Sequence, residues 1–264
     1  MCGIAGYSLS PDSSVDRTLA AQALLAGIAE RGADAVGYAF RGAGAGPAAL
    51  HKQRSGASKV LDRISVPADA TQVLLHVRDY TKGHPSIPAN NHPVRHGPVL
   101  GIHNGIIVND DELLEAYPCA RAEDGMTVDS EAIFAVAAHA QGDAAALERL
   151  RGSMATAWLD ERVPDQLFLA RGVGRPLWIG LGDEETFFAS TRAALDVAER
   201  YTGVKLRKQE LPDGILVVVE HGSVARRQRF TPDTSYQEAD PLPPVRAPLE
   251  GAFCLQWLAA FTTA

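Results

Sequence analysis

Short apolar runs recur along this sequence, each closed by a turn or a polar residue, and they are not spaced by the regular helices that a parallel sheet requires. Residues 3 to 8, 35 to 40, 48 to 51, 71 to 77 and 99 to 102 read as strands in the first half. In the second half, 155 to 160, 166 to 171, 177 to 181 and 186 to 189 form a meander, and 215 to 220 pairs with 224 to 230 through His221-Gly222. Helical spacing is confined to a few segments. Thr18 to Glu30 places Ala21, Leu24, Leu25 and Ile28 on one face before Gly32 ends it, and 131 to 140 and 144 to 151 follow the same period. Many antiparallel strands with few helices make an α+β chain, and two sheets packed between helical layers use this inventory.

The composition narrows the classes of partner. A chain of 264 residues with 46% hydrophobic content buries a full core as one large domain, with room for an appendage. The boundary falls near 230: residues 1–230 form the body, and 231–264 form a linker rich in proline (Pro232, Pro241, Pro243, Pro244, Pro248) followed by an apolar tail. Phe253, Leu255, Trp257, Leu258 and Phe261 in that tail either dock on the body or cover a partner. A net charge of −7 argues against nucleic acid or an anionic membrane as a partner and favours a small metabolite. Neither a leader segment nor a run of 18 apolar residues occurs, so a cytoplasmic location is expected. Cys2, Cys119 and Cys254 are odd in number and far apart, as free thiols are, and the last two read as structural. The glycine-rich Gly42 to Pro47 is a flexible connection, since no helix start or Lys-Ser/Thr pair follows it.

Four polar constellations stand at the ends of these elements. Arg31-Gly32-Ala33-Asp34 joins a helix to a strand and alone is a helix C-cap. Arg78 ends an apolar strand, in His76-Val77-Arg78-Asp79-Tyr80-Thr81-Lys82-Gly83, and its planar fork suits a carboxylate as well as it suits a surface ion pair. His103-Asn104-Gly105 follows another apolar strand: an Asn amide beside a glycine N–H supplies the donors of an oxyanion hole, although Asn-Gly is also the commonest hairpin turn. Asp129, at the start of the helix near 131, is either its N-cap or a ligand for an ammonium group.

The head of the chain, Met1-Cys2-Gly3-Ile4-Ala5-Gly6-Tyr7, adds a nucleophile. Removal of Met1 makes Cys2 the terminal residue, with a thiol and an α-amine of pKa roughly 7.7 to 8 on the same residue. The amine then accepts the thiol proton with no histidine required. A cysteine that merely opens a buried strand is the alternative.

Together these motifs resemble the glutaminase domain of the class II glutamine amidotransferases, in the N-terminal nucleophile hydrolase superfamily. Cys-Gly-Ile, Arg-Gly-x-Asp at 31 to 34, His-x-Arg with Thr81 and Gly83, Asn-x-His-Pro at 90 to 93, His-Asn-Gly and Asp-Ser-Glu occur in order. The later segments Gly152 to Ala155, Ala170 to Leu177 and Phe188 to Ser190 continue the likeness. The resemblance implies an αββα sandwich of two antiparallel sheets. It implies Cys2 as nucleophile with its α-amine as base, Asn104 and the Gly105 amide as oxyanion donors, Arg78 and Thr81 on the glutamine α-carboxylate, Asp129 on the α-amine, and Arg31-Gly32 as support. L-Glutamine would be hydrolysed through a γ-glutamyl thioester, with no metal and no organic cofactor.

The loop after Arg78 departs from the sugar-phosphate members, which commonly have Trp-Ala before the threonine and His after it. Here Asp79-Tyr80 and Lys82 occupy those places, and one extra residue separates Gly83 from His92. This weakens assignment to the glucosamine-6-phosphate synthase branch. Residues 1–264 hold no sugar isomerase, phosphoribosyltransferase or ATP-pyrophosphatase domain, so a free-standing glutaminase that hands ammonia to a synthase subunit on another chain is the leading expectation. A hydrolase of another γ-glutamyl amide and a non-catalytic scaffold that retains Met1 are the alternatives.

Overall fold

Every residue of strand β1 (Gly3–Leu9) is buried, because it runs through the middle of a sheet covered on both faces. The structure, a computed structural model, describes residues 2–42, 46–117, 123, 125–238 and 243–261. Cys119 and the centre of the glycine-rich connection lie outside the described residues. The sheet of β1 has seven strands, in the order β11 (Arg207–Glu210), β9 (Trp178–Leu181), β10 (Glu185–Ala189), β1, β4 (Ala70–Arg78), β2 (Ala35–Gly42) and β3 (Ala49–Gln53). The second has six, in the order β13 (Ser223–Arg229), β12 (Ile215–Glu220), β8 (Gln166–Arg171), β7 (Gly152–Asp160), β6 (Val99–Ile107) and β5 (Val94–His96). Neighbouring strands pair antiparallel throughout both sheets.

Side-chain alternation sorts the residues into three layers of core. Ile4 of β1 and Leu74 of β4 meet Leu100 and Ile102 of β6 between the sheets. Ala5, Tyr7 and Leu9 point the other way, onto α1 (Arg17–Ile28), whose first turn is capped by Asp16 accepting from the Leu19 amide at 2.9 Å. The outer face of the second sheet is closed by α3 (Ser130–Ala140), with Ile133, Phe134 and Val136 packed on Trp158, Phe168 and Val218. A short α2 (Asp110–Ala116) packs beside α3. The result is the expected αββα sandwich.

The structure extends or revises several elements. The strand expected over 99 to 102 runs on to Ile107, because Asn104 and Gly105 pair with Ala155 and Met154 of β7 instead of forming a turn. Residues 144–149 are a 3-10 helix. Helix α1 is buried far beyond one apolar face, since α4 (Arg192–Thr202) and α5 (Pro248–Phe261) both pack on it. Helices α2 and α4 and strands β5 and β11 are additional to the expected elements. Helix α4 does carry boundary signals: Thr191 accepts from the Ala194 amide at 3.2 Å, and Gly203 takes a left-handed φ of 76°. The apolar tail folds as α5 and docks on the body, burying Gly251, Cys254 and Leu258 against α1 and the 3-10 turn Ala29–Arg31. Burial pushes the Cys254 thiol up to about 12, as suits an inert core residue. No helix among the described residues is long and apolar enough to cross a membrane.

Candidate active site

The residue before β1, the last of β4 and the second half of β6 converge where the two sheets meet. Cys2 stands just before β1, half-buried, with Sγ 3.5 Å from the Asp79 carbonyl that accepts from it. Burial raises its thiol pKa, and the Arg78 charge pulls in the opposite direction. Arg31 is buried and donates from Nε to the Cys2 carbonyl at 2.9 Å.

The turn that carries Arg31 does more than cap a helix. A Cβ at Gly32 would lie 2.4 Å from the carbonyl carbon and oxygen of Arg78, so only glycine allows this backbone to pass so close to the end of β4. Asp34 continues the contact: its amide donates to the Arg78 carbonyl at 2.9 Å, and its carboxylate accepts from the Tyr80 amide at 2.9 Å. The Arg-Gly-x-Asp motif therefore splints both Cys2 and the loop after Arg78.

Arg78 is buried, which sets aside the surface ion pair. Its guanidinium donates to Asn91 Oδ1 at 2.7 Å, to the Lys82 carbonyl at 2.8 Å and to the Gly83 carbonyl. The arginine shapes its own loop by holding residues 82 and 83 back toward the strand. Beyond it, Lys82 pairs with Asp110 at the start of α2, and Thr81 is exposed at the cavity mouth.

On β6, Asn104 continues the alternation of Leu100 and Ile102, which places its amide between the sheets. It is fully buried, and neither Oδ1 nor Nδ2 has a hydrogen-bond partner among the described residues. A buried amide left without partners costs about 1–3 kcal/mol, so the site holds it at the expense of stability. Gly105 has φ 150°, and a Cβ there would lie 2.0 Å from the Ser153 carbonyl oxygen. Around this strand sit buried imidazoles: His103 Nδ1 lies 2.9 Å from Ser130 Oγ, and His76 Nε2 lies 3.1 Å from the His103 carbonyl and stacks on His92. Desolvation holds all three neutral, with His76 and His103 lowered to about 3.

Asp129 precedes α3 but does not cap it. Its Oδ2 accepts from the Ile107 amide at 2.7 Å, across to the end of β6. Burial raises its carboxyl to about 6, with the Ile107 bond opposing. A buried carboxylate with one oxygen engaged on the backbone is a built acceptor for an ammonium group.

Cys2, Arg78, Thr81, Gly105 and Asp129 line a single narrow cavity, joined by Lys82, His92 and His103. Asn104 lies behind the wall formed by its neighbours, Arg31 sits behind Cys2, and Gly32 lies against the backbone of Arg78 and Asp79. The parts missed in the sequence are Asn91, which holds Arg78, and Asp110, which holds Lys82. The Asn90-Asn91-His92-Pro93 run flagged the first; nothing local flagged the second.

Comparison with known proteins agrees with this geometry. A model of the glutamine amidotransferase domain matches residues 83–197. Among curated proteins, the glutamine–fructose-6-phosphate aminotransferase (isomerizing) of Escherichia coli O6:H1 is 31% identical over 262 residues, covering 91% of this chain and 40% of its own. That of Salmonella typhi is 32% identical with the same coverage, and that of Chlorobaculum tepidum 31% identical over 74% of this chain. The chain thus spans about 40% of the length of such relatives, and the Asp79-Tyr80 and Lys82 departures do not remove it from their neighbourhood. Among solved structures, the glutamine phosphoribosylpyrophosphate amidotransferase of B. subtilis superposes with a TM-score of 0.67 at 18% identity, over 86% of this chain and 49% of that one, which establishes the shared fold. The ordered motifs, the αββα sandwich and these relatives agree in giving the chain a glutamine amidotransferase domain, homologous to the matched part of these aminotransferases and consistent with class II.

Proposed function

We propose that this chain hydrolyses L-glutamine to glutamate and ammonia through a γ-glutamyl thioester on Cys2, and that the ammonia passes to a synthase on another chain. The observation that carries the reading is Asn104, a fully buried amide without a partner among the described residues, set between the sheets on the strand whose next residue lines the cavity of Cys2. An amide in that state lacks a hydrogen-bond acceptor, and the oxyanion of a tetrahedral intermediate is one.

With Met1 removed, the α-amine of Cys2 takes the thiol proton, and Sγ attacks the side-chain carbonyl carbon of glutamine. The carbonyl π pair moves onto oxygen, where Asn104 Nδ2 and the Gly105 amide donate to it. Collapse breaks the C–N bond, the α-ammonium returns its proton to the leaving nitrogen, and ammonia departs. Water then adds to the thioester, loses a proton to the amine, and releases glutamate and the thiol. Asp129 holds the substrate ammonium group, and Arg78 with Thr81 holds the α-carboxylate.

The test is glutamate release from glutamine and from a panel of γ-glutamyl amides, read beside intact mass. Processed protein should turn over glutamine, Cys2→Ala should abolish it, and a sample retaining Met1 should be inactive, because its nitrogen is an amide. Preference for a larger γ-glutamyl amide would replace the substrate in this reading. Inactivity of fully processed protein on the whole panel would leave a scaffold.

A further inference from the structure

The C-terminal segment returns across the molecule and ends its extended part beside the supports of Cys2. The amides of Arg246 and Ala247 both donate to the Glu30 carbonyl, at 2.9 and 2.8 Å. The Arg246 side chain donates from Nε to Asp79 Oδ2 at 3.1 Å. Glu30 precedes Arg31, whose guanidinium holds the Cys2 carbonyl, and the Asp79 carbonyl accepts from Cys2 Sγ. Residues 246 and 247 therefore hold the chain on both sides of the nucleophile, by their backbone at Glu30 and by the Arg246 side chain at Asp79. Helix α5 anchors that grip: Gly251 packs on Glu30, and Glu250 accepts from the Ser58 amide and hydroxyl at 2.9 Å each. Asp79 is also a residue at which the loop departs from the sugar-phosphate pattern, and here its carboxylate is what the segment holds.

We propose that Arg246 is a positioning residue for Cys2, its side chain fixing Asp79 while the backbone of residues 246 and 247 fixes Glu30, in the two segments that place the sulfur. The proposal rests on the reading of Cys2 as the nucleophile. Half-exposed ion pairs add little to stability, whereas displacement of a reacting atom by about 1 Å costs on the order of 10²-fold in rate. The effect is accordingly expected in reactivity and not in melting. The charged and titratable groups around the sulfur are its own α-amine once Met1 is removed, Arg31, Arg78, Asp79, Tyr80, Lys82, His92, His103 and Asp129. Arg246 adds a positive charge beside Asp79, whose own charge opposes formation of the thiolate.

Arg246→Ala, Arg246→Lys, Asp79→Asn and the Arg246→Ala/Asp79→Asn double variant, all matched for Met1 removal by intact mass, supply the test. The readouts are kcat and KM for glutamine, the melting temperature, and the rate of Cys2 alkylation by iodoacetamide against pH, with the labelled peptide identified by mass. Alkylation needs no turnover, so it reports the position and ionisation of the thiol even if glutamine proves not to be the substrate. Arg246→Ala should lower kcat by about tenfold with KM within about twofold and move the alkylation profile to higher pH. Arg246→Lys should recover most of the loss, and the double variant should lose no more than the worse single variant, as two residues acting through one contact do. Parental turnover and alkylation in Arg246→Ala, losses that add in the double variant, or a lysine variant no better than alanine would each overturn the proposal.

Discussion

Arg78 at the end of β4 lines the cavity and Asn104 within β6 stands behind its wall, and the two have opposite hydrogen-bond economies. Arg78, at the end of β4, commits three of its five N–H donors to Asn91 and to the carbonyls of residues 82 and 83. Asn104, on β6, has none of its capacity used among the described residues. A charged group that is largely engaged serves first as scaffold, and binds a ligand with the donors that remain. A neutral amide left unsatisfied in a dry interior is in deficit until something enters. The two residues, proposed as carboxylate ligand and oxyanion donor, should therefore fail in different ways when changed.

The largest expected effect lies on β6. Asn104→Ala should lower kcat for glutamine by on the order of 10² to 10³, because an oxyanion donor acts mainly in the transition state. Its melting temperature should not fall far, since the variant removes an amide that has no partner to lose among the described residues. A loss confined to KM, or a collapse in stability, would break the contrast. At β4 the order reverses. Arg78→Lys should raise KM by about tenfold and should also destabilise the fold by about 2 kcal/mol, because a lysine cannot reach Asn91 and the two loop carbonyls together. Steady-state kinetics with thermal unfolding of the same samples measures both, and a lysine variant that melts like the parent would show that the scaffold role is wrong.

Part of this contrast was legible in the sequence. The apolar run 71 to 77 stops at Arg78, and the arginine does stand at the strand end. Asn104 was harder, because Asn-Gly is a turn signal locally. Only β7, about 50 residues further on, pairs with it and turns the dipeptide into strand. Asp34 and Gly32 likewise read as a helix ending until the close approach of the Arg78 carbonyl gives them a second function. Asp129 followed N-cap statistics and instead serves the Ile107 amide, a contact no window around residue 129 contains. Helix α4 is the opposite case, since its Thr191 and Gly203 boundaries are local and were available. What the sequence concealed is long-range pairing and docking, including the return of residue 246 to Glu30 and Asp79.

Asp129 lies between Arg78 and Asn104 in character, with one backbone bond and a costly burial, and it gives the smallest predicted effect. Its carboxyl is raised to about 6 from an ordinary 3.8. Folding therefore takes up a proton at this group between those two values, so its contribution favours the folded state below about 4 and is lost as pH rises through about 6. The buried imidazoles His76, His92 and His103 act in the opposite sense: they must be neutral in the folded protein, and they outnumber one carboxyl, so stability as a whole should fall with acid. The difference between the parent and Asp129→Asn cancels the histidines and isolates the carboxyl. Asp129→Asn should be more stable than the parent by on the order of 1 kcal/mol at pH 7.5, with the gap closing as pH falls below about 6. It should also bind glutamine more weakly at neutral pH, while the parent's KM should rise as its own carboxylate is protonated below pH 6. Urea unfolding of both proteins from pH 4.5 to 7.5 reads the first, and KM across the same range reads the second. A gap that does not change with pH would mean that Asp129 is ionised at no cost to the fold, and would place it with the largely engaged arginine and not with the orphaned amide.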